Sequence, residues 1–502
     1  MIQIASDLVK KIAEERNEIL QIIPLVWEYQ PYNAKLIPVM GPEEKYLGVW
    51  SEEKTPIFKD PWFESQKFYN NFSFTIYPYS FENYQLLSQE ILSLKPETCG
   101  VKPSFGTGDR LGLVSAAHLN VLKKYEVFPI IAQQSPRELK KTGRTFQSVL
   151  LDAAWGAFAS GYQGRFGADA DHIKEEFYLQ QAIHSGYSFY TLDVSDYIEK
   201  EFLSQSERDL NQAYQKMNPD QLVLLKRYLD RSYSLGDGFR LSFNEENILR
   251  IVLSLYPVLG FIDQMNSILD ERLANYDLEI SLDEGEFLTS NQTHFFLSEE
   301  LHRRGIDFQS LALKFPGSFE KGIDYRGDLS QFQENLRGQV LIAENIGGYR
   351  LSLHSGSDKM TIYPTFFQET HGLFHIKTSG TSWLKALEVV SVFNPELFRK
   401  IYTLSWESYS ENSRDYQVSF KIDEIPAEIE YLPDKKLQNF LKNDSVRQLL
   451  HISYGSILKE YRKELYQFLF DYREDHYQRV EKNIENHLKV LTGKSKNSKS
   501  FS

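Results

Sequence analysis

Short apolar segments alternate with longer helical patterns between residues 99 and 400 of the chain. Eight of these segments read as strands that end in polar residues or glycine: Val101–Phe105, Val127–Ala132, Gln163–Ala168, Ser188–Asp193, Leu278–Leu282, Ser310–Phe315, Arg350–His354 and Leu373–Lys377. Six intervening stretches read as helices: Leu111–Tyr125, Phe146–Ser160, Glu246–Arg272, Thr293–Arg304, Asp328–Glu344 and Ser382–Val392. Strands that alternate with helices form parallel sheets, and about eight such units predict an α/β protein with a (β/α)₈ TIM-like barrel. A doubly wound sheet is the alternative.

The segments outside this alternation predict additional parts. Residues 1–98 begin with a helical pattern and continue with Pro- and aromatic-rich sequence, which indicates an N-terminal extension of irregular structure packed on the barrel. Residues 195–275 hold helical sequence without a strand and predict a helical insertion. Tyr, Leu, Glu and Lys at helical spacing predict a helical C-terminal region over 401–490. The last residues, 491–502, are rich in Lys, Ser and Asn and predict a disordered tail.

Composition narrows the class of protein. The net charge of −13 argues against non-specific nucleic-acid binding, which needs clustered Lys and Arg. The one cysteine excludes an intrachain disulfide framework. The N-terminal helical pattern carries charges throughout, unlike a signal peptide, and no apolar run approaches the roughly 20 residues that span a bilayer. We therefore expect a cytoplasmic protein with no nucleic-acid or membrane partner, and the sequence leaves a homo-oligomer open.

Polar side chains at the predicted strand ends are the candidates for chemistry, because active sites of such barrels lie where the strands end. This rule selects Asp169, Asp171, His172, Glu279, Asp283, Glu284, His354, Ser355, Asp358, His375 and Lys377. Imidazoles and carboxylates from separate strands could supply the three ligands of a catalytic Zn²⁺ or Mn²⁺ site. His294 begins a predicted helix, where it is either a cap neighbour or a third ligand, whereas His371 reads as a loop residue.

Two glycine-containing loops could bind an anion. The first, Gly106–Gly112, follows a strand and contains Arg110, which together with backbone N–H groups could bind an oxyanion. A simple tight turn is the alternative. In the second, Lys377–Ser382, Lys377 precedes a helix start and would suit a substrate carboxylate or phosphate. A helix-capping turn is the alternative there.

Acidic residues on two strands suggest proton transfer. Asp171 and His172 are adjacent, so they reach the same site only if the backbone turns between them. Glu279 lies on a strand across the predicted barrel mouth. An Asp and a Glu on opposite sides of a bound sugar would suit proton removal at one face and delivery at the other. An exposed, alternating edge strand is the alternative for Glu279.

Several longer motifs resemble those of the bacterial tagaturonate/fructuronate epimerase family, in the same order over about residues 100–400. They are Ser104–Arg110, Gly167–His172, Lys321–Tyr325, Leu353–Lys359 and Phe374–Trp383. The resemblance implies an isomerase of uronate breakdown that interconverts D-fructuronate and D-tagaturonate, small sugar acids. It also implies a divalent metal cofactor, for which Mn²⁺, Zn²⁺ and Ni²⁺ are the candidates.

The resemblance also implies roles for particular residues. In that family, an acidic residue beside a metal-binding histidine is the proton acceptor, which corresponds to Asp171 beside His172. The proton donor is a glutamate, matched best by Glu279, while Asp283 and Glu284 stay open as alternatives.

The remaining metal ligands follow from the same resemblance. His354 matches a second ligand. For the third we favour His294 over His375.

The reaction itself limits the mechanism, because the inverted carbon lies β to the ketone and its C–H is not acidified by enolisation. Either two groups exchange the proton directly across the two faces, or Asp171 deprotonates the hydroxyl and a retro-aldol cleavage allows the aldehyde to turn. Chemistry favours the retro-aldol route, since it produces a stabilised enolate. A Schiff-base sugar-acid aldolase using Lys377, another sugar isomerase, and a non-catalytic carbohydrate-binding protein are the competing hypotheses.

Overall fold

The structure, a computed structural model, describes residues 1–30, 33–52, 58–64, 72–236, 238–285, 287–416 and 418–493. The predicted tail beyond residue 493 lies outside the described residues. Within them, an N-terminal sheet and a C-terminal group of helices pack on a closed barrel.

The N-terminal part is an antiparallel sheet rather than irregular structure, so the prediction for residues 1–98 is wrong in this respect. Its elements are α1 (Ile2–Arg16), β1 (Gln21–Ile22), β2 (Trp27–Tyr29), β3 (Ala34–Met40), β4 (Lys45–Ser51), β5 (Phe63–Glu64), β6 (Ser73–Pro78), α2 (Phe81–Glu90) and a 3₁₀ turn at Leu92–Leu94. The strand order is β1-β3-β4-β6-β5, and β2 also pairs with β3. The aromatic residues that suggested irregular chain instead favour a pleated surface that is buried on both faces.

The two faces of this sheet are buried by different partners. On one face, α1 packs Val9 and Ile12 against Ile37 and Trp50. The other face joins the main core, where the Trp27 indole N–H donates to the carbonyl of Phe158 at 2.9 Å. The N-terminal sheet is therefore an outer layer on the barrel.

The first half of the barrel follows the predicted alternation. It comprises β7 (Ser104–Thr107), α3 (Ser115–Leu122), β8 (Phe128–Gln134), α4 (Pro136–Thr142), α5 (Phe146–Ser160), β9 (Gly167–Ile173), α6 (Glu176–Ser185) and β10 (Phe189–Asp193). Each strand pairs in parallel with the next.

The predicted helical insertion contains a strand pair as well as helices. It comprises a 3₁₀ turn at Ser195–Tyr197, α7 (Glu201–Ser204), α8 (Glu207–Tyr214), α9 (Pro219–Tyr228), β11 (Ser232–Ser234), β12 (Arg240–Ser242) and α10 (Glu245–Arg272). The hairpin β11–β12 corrects the expectation of helices only. By length and composition, α10 is the one helix among the described residues that could cross a membrane, but about 67% of its most apolar stretch is buried inside the protein. It therefore has the burial of a core helix.

The second half closes the barrel. It comprises β13 (Asp277–Ser281), α11 (Asn291–Arg303), β14 (Ser310–Ala312), α12 (Leu329–Ile346), β15 (Arg350–Leu353), α13 (Tyr363–Glu369), β16 (Phe374–Thr378) and α14 (Thr381–Phe393). Strand β16 pairs in parallel with β7, which completes the ring β10-β13-β14-β15-β16-β7-β8-β9. This confirms the predicted eight-stranded barrel.

Strand β9 begins and ends later than predicted, so that Asp169, Asp171 and His172 lie within it. Ala168 and Ala170 belong to the apolar core, and the acids alternate with them toward the polar barrel interior. At His172 the backbone φ is +55°, and the pairing of β9 with β10 shifts register here. This is the backbone turn that Asp171 and His172 need in order to reach one site.

The described C-terminal residues form helices and 3₁₀ turns that are joined by loops. Its elements are α15 (Pro395–Glu407), α16 (Tyr409–Asn412), α17 (Asp434–Phe440), α18 (Asp444–Ile452), α19 (Tyr454–Asp471) and α20 (Arg473–Thr492), with 3₁₀ turns at Ser413–Asp415 and Ile422–Glu424. Helices α15, α17, α18 and α19 share a second core with α14, whereas α20 packs into the main core. The turn after α16 places Tyr416 at the mouth of the barrel.

Candidate active site

A cavity of about 580 Å³ lies at the carboxyl ends of the barrel strands. Asp171 and His172 from β9, His354 after β15 and Lys377 from β16 line it. The loop after β14 contributes residues 313–321, and the C-terminal part contributes residues 414–416. Most of the strand-end residues selected from the sequence therefore do converge.

The Lys377 ammonium lies at the centre of this group of acids. Its Nζ is 2.7 Å from Asp169 Oδ2, 2.7 Å from Asp171 Oδ1 and 3.0 Å from Glu279 Oε1, and it donates to Thr191 Oγ1. Burial opposes protonation, but the surrounding carboxylates raise the pKa of Lys377 above its usual value. The lysine is therefore a fixed cation whose N–H donors are taken by protein oxygens. The prediction that Lys377 binds a substrate anion is not supported by this geometry.

The two acids of β9 have different environments. Burial raises the pKa of Asp169 to about 6, although Lys377 opposes this shift. Burial also opposes ionisation of Asp171, yet His172 and Lys377 hold the pKa of Asp171 well below its usual range. His172 and Lys377 both contact Asp171 Oδ1, and Asp171 Oδ2 has no hydrogen-bond partner among the described residues. Asp171 is the acid of this pair that lines the cavity.

Each of two histidines is held by a buried carboxylate through one ring nitrogen. His172 Nδ1 is 2.7 Å from Asp171 Oδ1, and His354 Nε2 is 2.6 Å from Glu279 Oε1. The other nitrogens face Asp283: His354 Nδ1 is 2.8 Å and His172 Nε2 is 3.7 Å from Asp283 Oδ1. A carboxylate behind a histidine is the usual arrangement around a histidine-bound metal, where it orients the ring.

His172, Asp283 and His354 fit a divalent metal. One ligand atom of each lies within 4.8 Å of the others. Two imidazoles and one carboxylate leave an open coordination position, as catalytic sites require. Burial opposes protonation, but Asp171 raises the pKa of His172 to about 10 and Asp283 raises the pKa of His354 to about 9. These shifts favour the protonated imidazoles, whose charge a bound cation would replace.

A second acidic group shares His172. Ligand atoms of His172, Asp193 and Glu284 also lie within 4.8 Å of one another. Here, however, Lys174 Nζ lies 3.5 Å from Asp193 and 3.9 Å from Glu284. Because the protein already supplies a cation to this group, the first group fits a metal better.

Glu279 lies below the cavity rather than in its wall. Its carboxylate is fully buried and accepts from Ser310 Oγ at 2.6 Å, in addition to contacting Lys377 and His354. Burial opposes ionisation, but the two cations hold the pKa of Glu279 well below its usual range. In this geometry Glu279 contacts His354 and orients its ring, while its role as proton donor stays a prediction.

His294 is not at the site, so its prediction as third ligand is wrong. It lies in α11, fully buried, with Nδ1 2.6 Å from Gln339 Oε1 and Nε2 2.6 Å from the hydroxyl of Tyr349. Both ring nitrogens are occupied, and burial lowers the pKa of His294 to about 4. Its competitor His375 faces the barrel interior, where Nδ1 contacts Ser104 Oγ at 2.8 Å. In the group that could hold a metal, the third candidate ligand atom comes from Asp283.

Arg110 does not reach the cavity either, which corrects its prediction as a substrate-binding residue. Its Nε and Nη2 donate to Glu138 Oε1 at 3.0 and 2.7 Å, and Nη1 donates to the carbonyl of His451. The loop around it is the tight turn considered as the alternative. Asp109 accepts from the backbone N–H groups of Gly112 and Val114 and so holds that turn.

Sequence reasoning gave no role to several cationic residues of the cavity wall, among them Arg137 and Lys321. Arg137 follows β8 by a few residues and Lys321 follows β14, so the strand-end rule could have found both had the search extended further into the loops. Lys321 also belongs to one of the family-like motifs.

The metal site predicts a specific pattern of variants. Asp283→Asn and His354→Ala should each weaken Zn²⁺ binding by about 100-fold or more, because each removes a proposed ligand. Binding is measured by competition with a chromogenic chelator, with folding checked by circular dichroism. His371→Ala, an exposed histidine paired with Glu344, is the matched control and should keep the wild-type affinity. Loss of metal in His294→Gln with retention in Asp283→Asn would contradict the assignment.

Comparisons with known proteins identify the family of the chain. The sequence profile of the UxaE tagaturonate epimerase family matches residues 32–491. The tagaturonate/fructuronate epimerase of Thermotoga maritima is 42% identical over 419 residues, which cover 82% of this chain and 85% of that protein.

Solved structures give the same result. A glycerol complex of the fructuronate-tagaturonate epimerase UxaE from Cohnella laeviribosi matches with a TM-score of 0.89 and 29% identity, covering 98% of this chain and 99% of that one. The native crystal structure of the same enzyme matches with a TM-score of 0.87, 28% identity and coverage of 98% and 99%. The chain therefore belongs to the tagaturonate epimerase family, as its motifs predicted, and is an enzyme of the epimerase class.

Proposed function

We propose that this enzyme interconverts D-tagaturonate and D-fructuronate with a divalent cation held by His172, Asp283 and His354. The observation that carries the proposal is the convergence of these donors beside Asp171, which lines the same cavity. Among the described residues, Asp171 Oδ2 has no hydrogen-bond partner. Family membership supports the substrate pair. The donor set suits Zn²⁺, Mn²⁺ or Ni²⁺, because imidazole and carboxylate ligands serve all three.

The bound cation supplies Lewis acidity that stabilises negative charge on substrate oxygens. The protein fixes the ligands that hold it. Glu279 and Asp171 bind the far nitrogens of His354 and His172, so the rings are oriented before a metal arrives. Such supporting contacts determine metal affinity nearly as strongly as the ligands do.

Asp171 is the proposed base. It is ionised at neutral pH and accepts the proton of the hydroxyl on the carbon to be inverted. The bond between that carbon and the α carbon then breaks; its electron pair forms an enolate with the ketone, and the hydroxyl carbon becomes an aldehyde. After the aldehyde turns, the enolate carbon attacks its other face. The proton returns from Asp171 to the new alkoxide, so no proton is consumed.

This route needs one proton-transfer group, whereas direct exchange across two faces needs two. Glu279, the donor that was expected for the second face, is fully buried and does not line the cavity. The geometry therefore favours the retro-aldol route over direct exchange.

The competing hypothesis of a Schiff-base aldolase requires a neutral, accessible lysine. Lys377 has only 4% of its side chain exposed and is surrounded by three carboxylates, which keep its amine protonated. A carbohydrate-binding protein without catalysis is also less well supported, because a cluster of strongly perturbed acids and histidines in a cleft is typical of an active site.

The proposed setting is the cytoplasm, with a soluble sugar acid as the partner and neither nucleic acid nor membrane. The net charge of −13 supports the absence of nucleic-acid binding.

Product analysis tests the reaction. Metal-loaded enzyme incubated with D-fructuronate in heavy water should form D-tagaturonate, and NMR should show the original hydrogen retained at the inverted carbon. Enzyme stripped with a chelator should form none. Deuterium at the inverted carbon would refute the retro-aldol route but not the epimerase. Absence of D-tagaturonate with Zn²⁺, Mn²⁺ and Ni²⁺ alike would refute the proposed function.

The assignment of the base predicts unequal effects of two conservative variants. Asp171→Asn should lower kcat by about 10²–10⁴-fold, because the base is lost while the shape is kept. Asp169→Asn should lower it far less, since Asp169 touches Lys377 and not the cavity. Steady-state kinetics with the metal content of each variant measured in parallel distinguishes loss of the base from loss of metal. An inactive Asp169→Asn beside an active Asp171→Asn would contradict the assignment.

A further inference from the structure

Among the described residues, the cavity contains a partly buried cation, Lys321, that has no counter-ion. Five basic residues line the cavity: Arg137, Lys314, Lys321, Lys377 and Arg414. Lys377 is neutralised by three carboxylates, and Arg137 Nη2 donates to Glu284 at 3.0 Å. Over the described part of the chain, the ammonium of Lys321 makes neither an ion pair nor a hydrogen bond. The side chains of Lys314 and of the exposed Arg414 also lack such partners there.

The charged groups around Lys321 are already paired with one another. Glu138 binds Arg110, and Glu284 binds Arg137. These two pairs cancel, so the surplus charge is that of Lys321. Burial and the neighbouring Arg137 lower the pKa of Lys321 from its usual value. An unpaired cation that is partly withdrawn from water costs free energy, and an entering anion would offset that cost.

A second unsatisfied donor lies nearby. The Nε of Arg137 is buried and has no hydrogen-bond partner among the described residues. Polar groups buried without partners are uncommon in proteins, and each calls for an explanation such as a missing ligand. An anion beside Lys321 would also compensate the positive charge of Arg137.

The backbone that carries Lys321 is fixed by its neighbours. Lys359 Nζ donates to the carbonyls of Glu320 and Ile323 at 2.9 and 2.6 Å. Arg447 Nε donates to the carbonyl of Gly322 at 2.8 Å. These bonds hold the residues on both sides of Lys321. The side chain therefore projects from a preorganised loop, unlike a typical surface lysine.

We propose that Lys321 binds the substrate carboxylate and thereby selects uronates over uncharged sugars of the same shape. The inference rests on the proposed function, since it identifies the group that recognises the acid end of the same substrate. The cavity of about 580 Å³ holds Lys321 together with Asp171 and His354, so one small ligand has access to all three. Charge-assisted hydrogen bonds to carboxylates are among the strongest that proteins make.

The test compares a uronate with its uncharged amide. Binding of the equilibrated D-tagaturonate and D-fructuronate mixture to metal-loaded enzyme is measured by calorimetry, and then binding of the corresponding amides. The wild type should prefer the acids by about 10–100-fold, the worth of a hydrogen bond to a charged group. Lys321→Met should lose this preference, and Lys321→Arg should retain part of it.

Kinetics and stability separate binding from a structural role. Lys321→Met should raise KM for D-fructuronate by about 10–100-fold with kcat changed less than about 3-fold, because the contact is the same in ground and transition states. Its thermal midpoint should equal or exceed that of the wild type, since an uncompensated cation is removed. Lys314→Met, a cationic residue of the same wall, is the matched control and should keep the preference for acids.

Two results would overturn the inference. One is equal binding of acid and amide by the wild type, and the other is a Lys321→Met variant with unchanged preference. A wild type that binds uronates through Lys321 but does not interconvert them would instead contradict the proposed function alone.

Discussion

The ammonium of Lys377 holds three carboxylates together inside the barrel, and the remainder of the site depends on this interaction. Asp169, Asp171 and Glu279 come from two strands and lie within 3.0 Å of one nitrogen atom. Without the cation, this many acids could not share a buried space, because their mutual repulsion and desolvation would drive protonation or unfolding. Lys377 comes from the last strand, so barrel closure and charge neutralisation occur together.

The carboxylates around Lys377 also contact two of the proposed metal ligands. Two of the three carboxylates bind the far nitrogens of His172 and His354, which turns both rings toward Asp283. The same contacts distinguish Asp169 from Asp171. Asp169 lies below the cavity, whereas Asp171 lines it, and Asp171 Oδ2 has no hydrogen-bond partner among the described residues. Lys321 lines the same cavity, where we propose that its positive charge binds the carboxylate of the sugar acid.

The sequence contained enough local information to predict the barrel, because each strand is a short apolar run followed by a helix and all eight could be counted. It did not determine where β9 ends, since Asp169 and Asp171 look like loop residues unless Lys377 is known to face them. The N-terminal strands were missed because their aromatic residues are buried by α1 and the barrel, contacts that are distant in sequence. The same limit affected His294 and Arg110. Their residue types suited the chemistry, but Gln339, Tyr349 and Glu138 already satisfy them.

The position of the metal is the most direct test of this arrangement. Crystals of the zinc-loaded enzyme, measured at the zinc absorption edge, should show an anomalous peak about 2.0–2.3 Å from ligand atoms of His172, Asp283 and His354. Lys377 should remain in contact with Asp169, Asp171 and Glu279. A peak held by His172, Asp193 and Glu284, or one beside His294, would contradict the proposed site.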